Sequence, residues 1–310
     1  MPYGTQAINS LYVLEQSFIA FAAGDQGLVM RSDDGGHHWR ILPCPVSVNL
    51  HSIHFPHQDT TGYCVGDRGT ILKTEDGGKS WRQLNSGTEF DLFAVKFPLQ
   101  TAVGFVAGAH GLIMRTVDAG LTWHEQTTAT DLTLHAFDFP SDELTGFAVG
   151  ENRTLLKTNT GGRRWFSQTD NIRAVGSFLI NSIHFPAGPN IGFAATTGTV
   201  LWTPDSGENW KPMNLGMGIP QLNSVHFRHD TMVGYAVGAR GSLFKTVDGG
   251  SNWTRLNSGT ENDLRVVRFF DDATRGIIGG DQGTILVSEY AGFDWGRPQQ
   301  VAPDSSTPTA

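Results

Sequence analysis

Short apolar runs, rich in β-branched and aromatic residues and broken by Gly-bearing turns, succeed one another along almost the whole chain. Alternating runs of this length between turn signals read as strands. In one stretch they fall at 50–55, 61–65, 70–73 and 81–84, and in the next at 92–97, 104–107, 112–115 and 123–126. The set of four then repeats, beginning at about Ile8. The first strand of each set has a pattern of its own. Its fourth position is apolar (Leu11, Ile53, Val95, Phe137, Ile183, Val225, Val267). Its third is small in six of seven copies (Ser10, Ser52, Ala94, Ala136, Ser182, Ser224, against Val266). Its fifth is Tyr12, His54, Lys96, Asp138, His184, His226 or Arg268. Small residues suit a crowded inner strand close to an axis.

Between the third and fourth strands lies a recurring turn, Thr74-Glu75-Asp76-Gly77-Gly78-Lys79-Ser80-Trp81 in its clearest copy. The copies end at Trp39, Trp81, Trp123, Trp165, Trp210, Trp253 and Trp295, spaced by 42, 42, 42, 45, 43 and 42 residues. A fixed period near forty marks a repeat architecture. The common form is Ser/Thr-x-Asp-x-Gly-x-x-Trp, an Asp-box. Its Asp accepts hydrogen bonds from the turn's own amides, and its Gly supplies positive φ. Asp34, Asp76, Asp118, Asp205 and Asp248 are therefore read as structural, with Thr160 and Tyr290 standing in the fourth and seventh copies. Four strands repeated radially predict an all-β fold, a seven-bladed β-propeller of four-stranded antiparallel blades. One propeller is expected over residues 1–300, with a disordered tail at 301–310 and Met1–Ala7 added as a strand on the last blade to close the ring.

Composition narrows the function. A net charge of −8 speaks against a general nucleic-acid binder, and no apolar run approaches the length of a membrane span. Residues 1–10 carry neither a basic nor an apolar leader region, so the expected location is the cytoplasm, with periplasm or lumen second. Cys44 and Cys64 read as ordinary thiols. No cofactor and no metal are expected. His54, His184 and His226 belong to the second, fifth and sixth blades, too dispersed for the short distances of ligation.

The face opposite the Asp-box turns gathers the turns between second and third strands and the links between blades, the loops a scaffold is free to vary. Asp25, Asp67 and Asp281 would form an acidic arc there, with Arg153 and Arg240 across the opening. A pocket enzyme would draw acid–base groups from Asp25, Asp67, His110, Glu151 and Asp281. The same acids have a plainer role, capping tight turns. A longer connection, 168–178, breaks the repeat between the fourth and fifth blades and carries Asn171, Arg173 and Phe178. Trp202 replaces a Lys of other blades, either exposed for a partner or packed under a neighbouring loop.

The stretch Leu222–Trp253, Leu-x-x-Val-x-Phe followed by Gly-Tyr-Ala-Val-Gly-x-x-Gly-x-Leu-x-Lys-Thr-x-Asp-Gly-Gly-x-x-Trp, resembles the photosystem II stability/assembly factor family within the wider BNR-repeat class. The likeness runs from about Ile8 to Trp295. It implies a non-catalytic propeller that binds a protein partner as an assembly or accessory factor through basic residues. Arg68, Arg153, Arg173, Phe178 and Arg240 are the candidates for that contact. The sialidase motif Phe/Tyr-Arg-Ile-Pro of the wider class does not occur, so sialidase activity is not expected. The alternative is a small-molecule enzyme or binder, of lyase, cyclase or hydrolase type, working in the axial pocket.

Overall fold

The computed structural model describes residues 4–14, 17–57, 59–98, 102–140, 144–174, 176–270 and 274–297. The expected tail at 301–310 and residues 1–3 lie outside that range. The strands form seven antiparallel sheets, six of four strands and one of three, each with its strands in chain order. They are the blades of a propeller, numbered here from the N-terminus. Among the described residues the seventh has no full fourth strand, and one bridge between Val287 and Gly296, with N–H···O distances of 2.7 and 3.0 Å, holds its place. The inner strands are Ile8–Val13, Leu50–His57, Leu92–Lys96, Leu134–Asp138, Ile180–His184, Leu222–Phe227 and Leu264–Phe269. They surround an axial channel.

Neighbouring blades are joined by one repeated aromatic contact. Phe55 stacks on Phe21, Phe97 on Tyr63, Phe139 on Phe105, Phe185 on Phe147, Phe227 on Phe193 and Phe269 on Tyr235, with centroids 3.5–4.5 Å apart. The Asp-box Trp then meets each inner-strand Phe edge to face, as Trp253 does with Phe227 at 88°. Such pairs add about 0.5–1.5 kcal/mol beyond burial of their area. The Phe leaves no room opposite: a Cβ on Gly234, which pairs with Phe227, would lie 2.4 Å from its ring. Blade one is the exception, with Val13 paired to Ala20.

The Asp-boxes fold as expected. In the second, Thr74 Oγ1 donates to Asp76 Oδ1 (2.8 Å) and accepts the Gly78 N–H (2.9 Å), while Asp76 takes the Ser80 N–H and hydroxyl at 2.9 and 2.6 Å. Thr160 does part of this work in the fourth copy, accepting the Arg164 N–H at 3.2 Å. The seventh copy moves the acid. Asp294, beside Trp295, accepts from Ser288 Oγ (2.5 Å) and from the Tyr290 N–H (3.1 Å).

Ring closure differs from expectation. Residues 4–7 form no strand. Instead the Gln6 carbonyl accepts the Gly283 N–H (3.0 Å), as the Phe90 carbonyl accepts the Gly69 N–H (2.9 Å) between blades two and three. Ile8 and Leu11 of blade one then share a buried cluster with Val266, Ile277 and Val287 of blade seven. The thiols of Cys44 and Cys64 are free, and both sit in the cluster between blades one and two. Trp202 is half-buried against the cluster between blades five and six. Among the described residues no helix is long and apolar enough to cross a membrane.

Candidate functional site

Every inner strand begins with the same defect. Ile8 pairs with Gly24 and Ser10 with Ala23, so Asn9 has no partner residue. The same slip isolates His51, Phe93, His135, Asn181, Asn223 and Arg265. A β-bulge re-aims a side chain that the regular pleat would place elsewhere. Here the seven bulged residues converge on the mouth of the channel, where they line a cavity of about 330 Å³ together with Gln221 and Asp263. This ring is the feature that reading the third, fourth and fifth positions of the strand passes over. The signal was present, since six of the seven second positions carry a side chain that hydrogen-bonds.

The ring has two halves. On blades two to four His51, Phe93 and His135 pack side by side, with centroids 4.9 and 5.5 Å apart. Burial lowers the pKa of His135 and His51 adds to the effect, against the opposing charge of Glu151, so this imidazole is held neutral. On blades five, six and one the amides are pinned. Asn181 Nδ2 donates to the Leu222 carbonyl (2.8 Å), Asn223 Nδ2 to that of Leu264 (2.9 Å) and Asn9 Nδ2 to that of Leu50 (2.9 Å). Each bond fixes the amide plane, and Asn223 Oδ1 accepts in turn from Gln221 Nε2 at 3.0 Å. Arg265 of blade seven donates to Asn9 Oδ1 at 2.5 Å.

The acids picked out by sequence stand behind this ring. Asp25 Oδ1 accepts from Asn9 (2.8 Å), Asp67 Oδ1 from His51 Nε2 (2.6 Å) and Asp281 Oδ1 from Arg265 Nε (2.5 Å). Glu151 accepts the Thr133 N–H (3.2 Å). The expected open acidic arc is thus a set of supports, each holding a ring residue or its strand. His110 lies apart, exposed, its ring tilted against that of Phe90 with centroids 4.7 Å apart.

The basic candidates also separate. Arg68 and Arg240 are exposed at turn tips with φ of 55° and 52°, their N–H groups bound by Asp91 and Asp263 at 2.8 Å. Arg153 turns away from the channel, donating to the Ile172 carbonyl (3.1 Å) and lying 5.8 Å from the Phe178 ring. Arg173 is not at the mouth. Its guanidinium donates to Asn209 Oδ1 (2.8 Å), inside the fifth Asp-box, because the inserted segment pairs Ile172 with Trp210. The flap expected at 168–178 is therefore partly a cover for Trp210, which is fully buried.

Deeper in the channel the fifth-position residues form a second ring. His54 Nε2 donates to the Phe97 carbonyl (3.1 Å) and His184 Nε2 to that of Phe227 (2.9 Å), so both imidazoles tie one blade to the next. Among the described residues no three His, Cys, Asp or Glu are grouped to hold a metal ion.

A seven-bladed ring with Asp-box turns and a bulge-lined polar mouth defines a BNR-repeat propeller. The family model for photosynthesis system II assembly factor YCF48 matches residues 10–85, 32–133 and 121–223. The chain belongs to that family. Over 128 residues it is 28% identical to the photosystem II stability/assembly factor HCF136, chloroplastic, of Arabidopsis thaliana. That match spans 39% of this chain and 31% of the relative's length. Among solved structures, YCF48 bound to D1 peptide superposes with a TM-score of 0.72 at 21% identity, covering 92% of this chain and 94% of that one. YCF48 from Cyanidioschyzon merolae gives 0.73 at 17% identity, covering 94% and 97%. A GH74 xyloglucanase from Xanthomonas campestris also gives 0.73, at 12% identity, covering 93% of this chain and 52% of the enzyme. At these identities the superpositions speak for the fold alone.

Proposed function

We propose that the chain is a non-catalytic propeller that binds an extended segment of a protein client across the channel mouth, on the face opposite the Asp-box turns, as an assembly or accessory factor. The observation that carries this reading is the division of the mouth into an aromatic half (His51, Phe93, His135) and an amide half (Asn181, Asn223, Asn9). Amides held in fixed planes suit the polar groups of an extended main chain, and an aromatic shelf suits its apolar side chains. Arg68 and Arg240, exposed on the same face, extend the surface toward acidic positions of the client. The family supports the reading, as does the solved neighbour that holds a peptide.

The pocket-enzyme alternative needs Asp25, Asp67 or Asp281 to act on a substrate. Each is already hydrogen-bonded to a ring residue, which favours binding over acid–base chemistry. On location, the chloroplastic relative favours the lumen or periplasm over the cytoplasm. The test is panning of a peptide library cut from the source genome against the wild type and a Phe93→Ala/Asn181→Ala variant. Enriched peptides that the variant loses support the reading. No enrichment, or equal enrichment by a folded variant, counts against it.

A further inference from the structure

We propose that the lower half of the axial channel is a binding site for a small anion, held by Arg268 and Lys96 and hydrogen-bonded by serine hydroxyls of the inner strands. The site lies below the mouth in the same continuous cavity, and it does not depend on the client-binding reading.

A cavity of about 210 Å³ runs down the axis and is lined by Arg268, Lys96, His54 and Tyr12, with Ser10, Ser52, Ser182 and Ser224 among the small residues. Lys96 Nζ donates to Asp138 Oδ1 at 3.2 Å. Asp138 also accepts the N–H groups of Phe139 (2.9 Å) and Phe185 (2.7 Å), so three donors already share this carboxylate. Arg268 has no such partner. Among the described residues its hydrogen bonds go to neutral oxygens, the Val267 carbonyl at 2.8 Å and Ser224 Oγ at 3.4 Å. Asp138 is the one carboxylate whose charge acts on it. Arg265 also lines the cavity but is paired with Asp281 at 2.5 Å, so Arg268 and Lys96 are two cations that share one carboxylate, Asp138. The histidines do not alter the balance, since burial holds His54, His184 and His226 below their ordinary pKa and hence neutral. A half-buried guanidinium that shares its one nearby carboxylate with Lys96 leaves net positive charge in the channel, which a solvent anion would neutralise.

The hydroxyls point the same way. Ser10 Oγ accepts the Ile53 N–H (3.2 Å), Ser52 Oγ that of Val95 (3.3 Å) and Ser224 Oγ that of Val267 (3.3 Å). An oxygen engaged as acceptor on the next blade leaves its own O–H to donate. The small third position of the inner strand thus supplies donors as well as room. A cation with a fork of donors and several hydroxyls suits a monatomic anion or a compact oxyanion.

Crystals of the full chain grown in sodium bromide test the site. The expected result is an anomalous peak in the channel between Arg268 and the serines, absent in Arg268→Met. No peak in the wild type, or an equal peak in Arg268→Met, overturns the proposal. Should Arg268→Met not fold, wild-type melting at fixed ionic strength decides, with gluconate replaced by chloride, bromide or phosphate. A rise in Tm of about 2–4 °C with one of the small anions is expected at concentrations well above Kd, and an equal Tm in all four salts overturns the proposal.

Discussion

Val13 faces Ala20 in blade one, at the position where each of the other six blades sets a Phe against a Gly. The aromatic partner from the preceding blade is missing too, because Ile277 of blade seven takes the place of Phe21 or Tyr63. The interface where the two ends of the chain meet is thus the one built without stacked rings. Val13→Phe alone should drive its ring into the Ala20 methyl and cost about 1–3 kcal/mol. Val13→Phe with Ala20→Gly restores the space used elsewhere in the ring. The double variant should melt at or above the wild type, and a double variant no better than Val13→Phe would show that blade one packs by another rule.

The seventh Asp-box carries its acid at Asp294 in place of position 290. Asp294→Ser should therefore lower Tm although it lies outside the motif's usual Asp position. Adding Tyr290→Asp to Asp294→Ser rebuilds the ordinary box, with Asp and Ser placed as Asp76 and Ser80 are, and should recover most of the loss. In the wild-type background Tyr290→Asp sets two carboxylates side by side and should destabilise. Thermal unfolding of the three variants decides the matter.

Stability should decline in two stages as pH falls. Burial depresses the His54 pKa to about 3, against about 6.5 in an unfolded chain. A depressed folded pKa means stability that is complete above the unfolded value and lost as pH drops through the folded one. The first loss thus begins below about 6.5 and continues toward the His54 value of about 3. The second begins below about 4, because hydrogen bonds from Ser80 and Thr122 hold Asp76 and Asp118 at about 2. His54→Gln should reduce the first stage, to which buried His135, His184 and His226 also contribute, and leave the second. A denaturant midpoint that stays constant from pH 7 to about 4.5 would contradict the assignment.

Trp spacing, turn Asp and small third positions were enough to read the propeller, because each is a local requirement imposed seven times over. The mouth was less legible. A bulge is not visible in a strand's alternation, so Asn9, His51, Phe93 and Arg265 look like ordinary outward residues until the register is known. Asp25, Asp67 and Asp281 were visible, but their role depends on which bulged side chain stands in front of each. Arg173 was misplaced for a different reason. The inserted segment obeys no repeat, and its course is set by the single pairing of Ile172 with Trp210.

The client-binding reading assigns the mouth and the Asp-box face opposite roles, so Asp67→Ala and Asp76→Ala should behave in opposite ways. Asp67→Ala releases His51 and should weaken client binding about tenfold or more with little change in Tm. Asp76→Ala should cost about 1 kcal/mol of stability after allowance for its exposure, and leave binding intact. Equal losses of stability in both would remove the distinction.

The most direct test places a photocrosslinking amino acid at Phe93, in the mouth, and at Leu121, exposed in an Asp-box turn, in the organism that makes the protein. Irradiation followed by mass spectrometry should give, from position 93, crosslinks to one stretch of a client polypeptide, and none from position 121. Crosslinks from 121 alone, or small molecules without polypeptide from 93, would contradict the account.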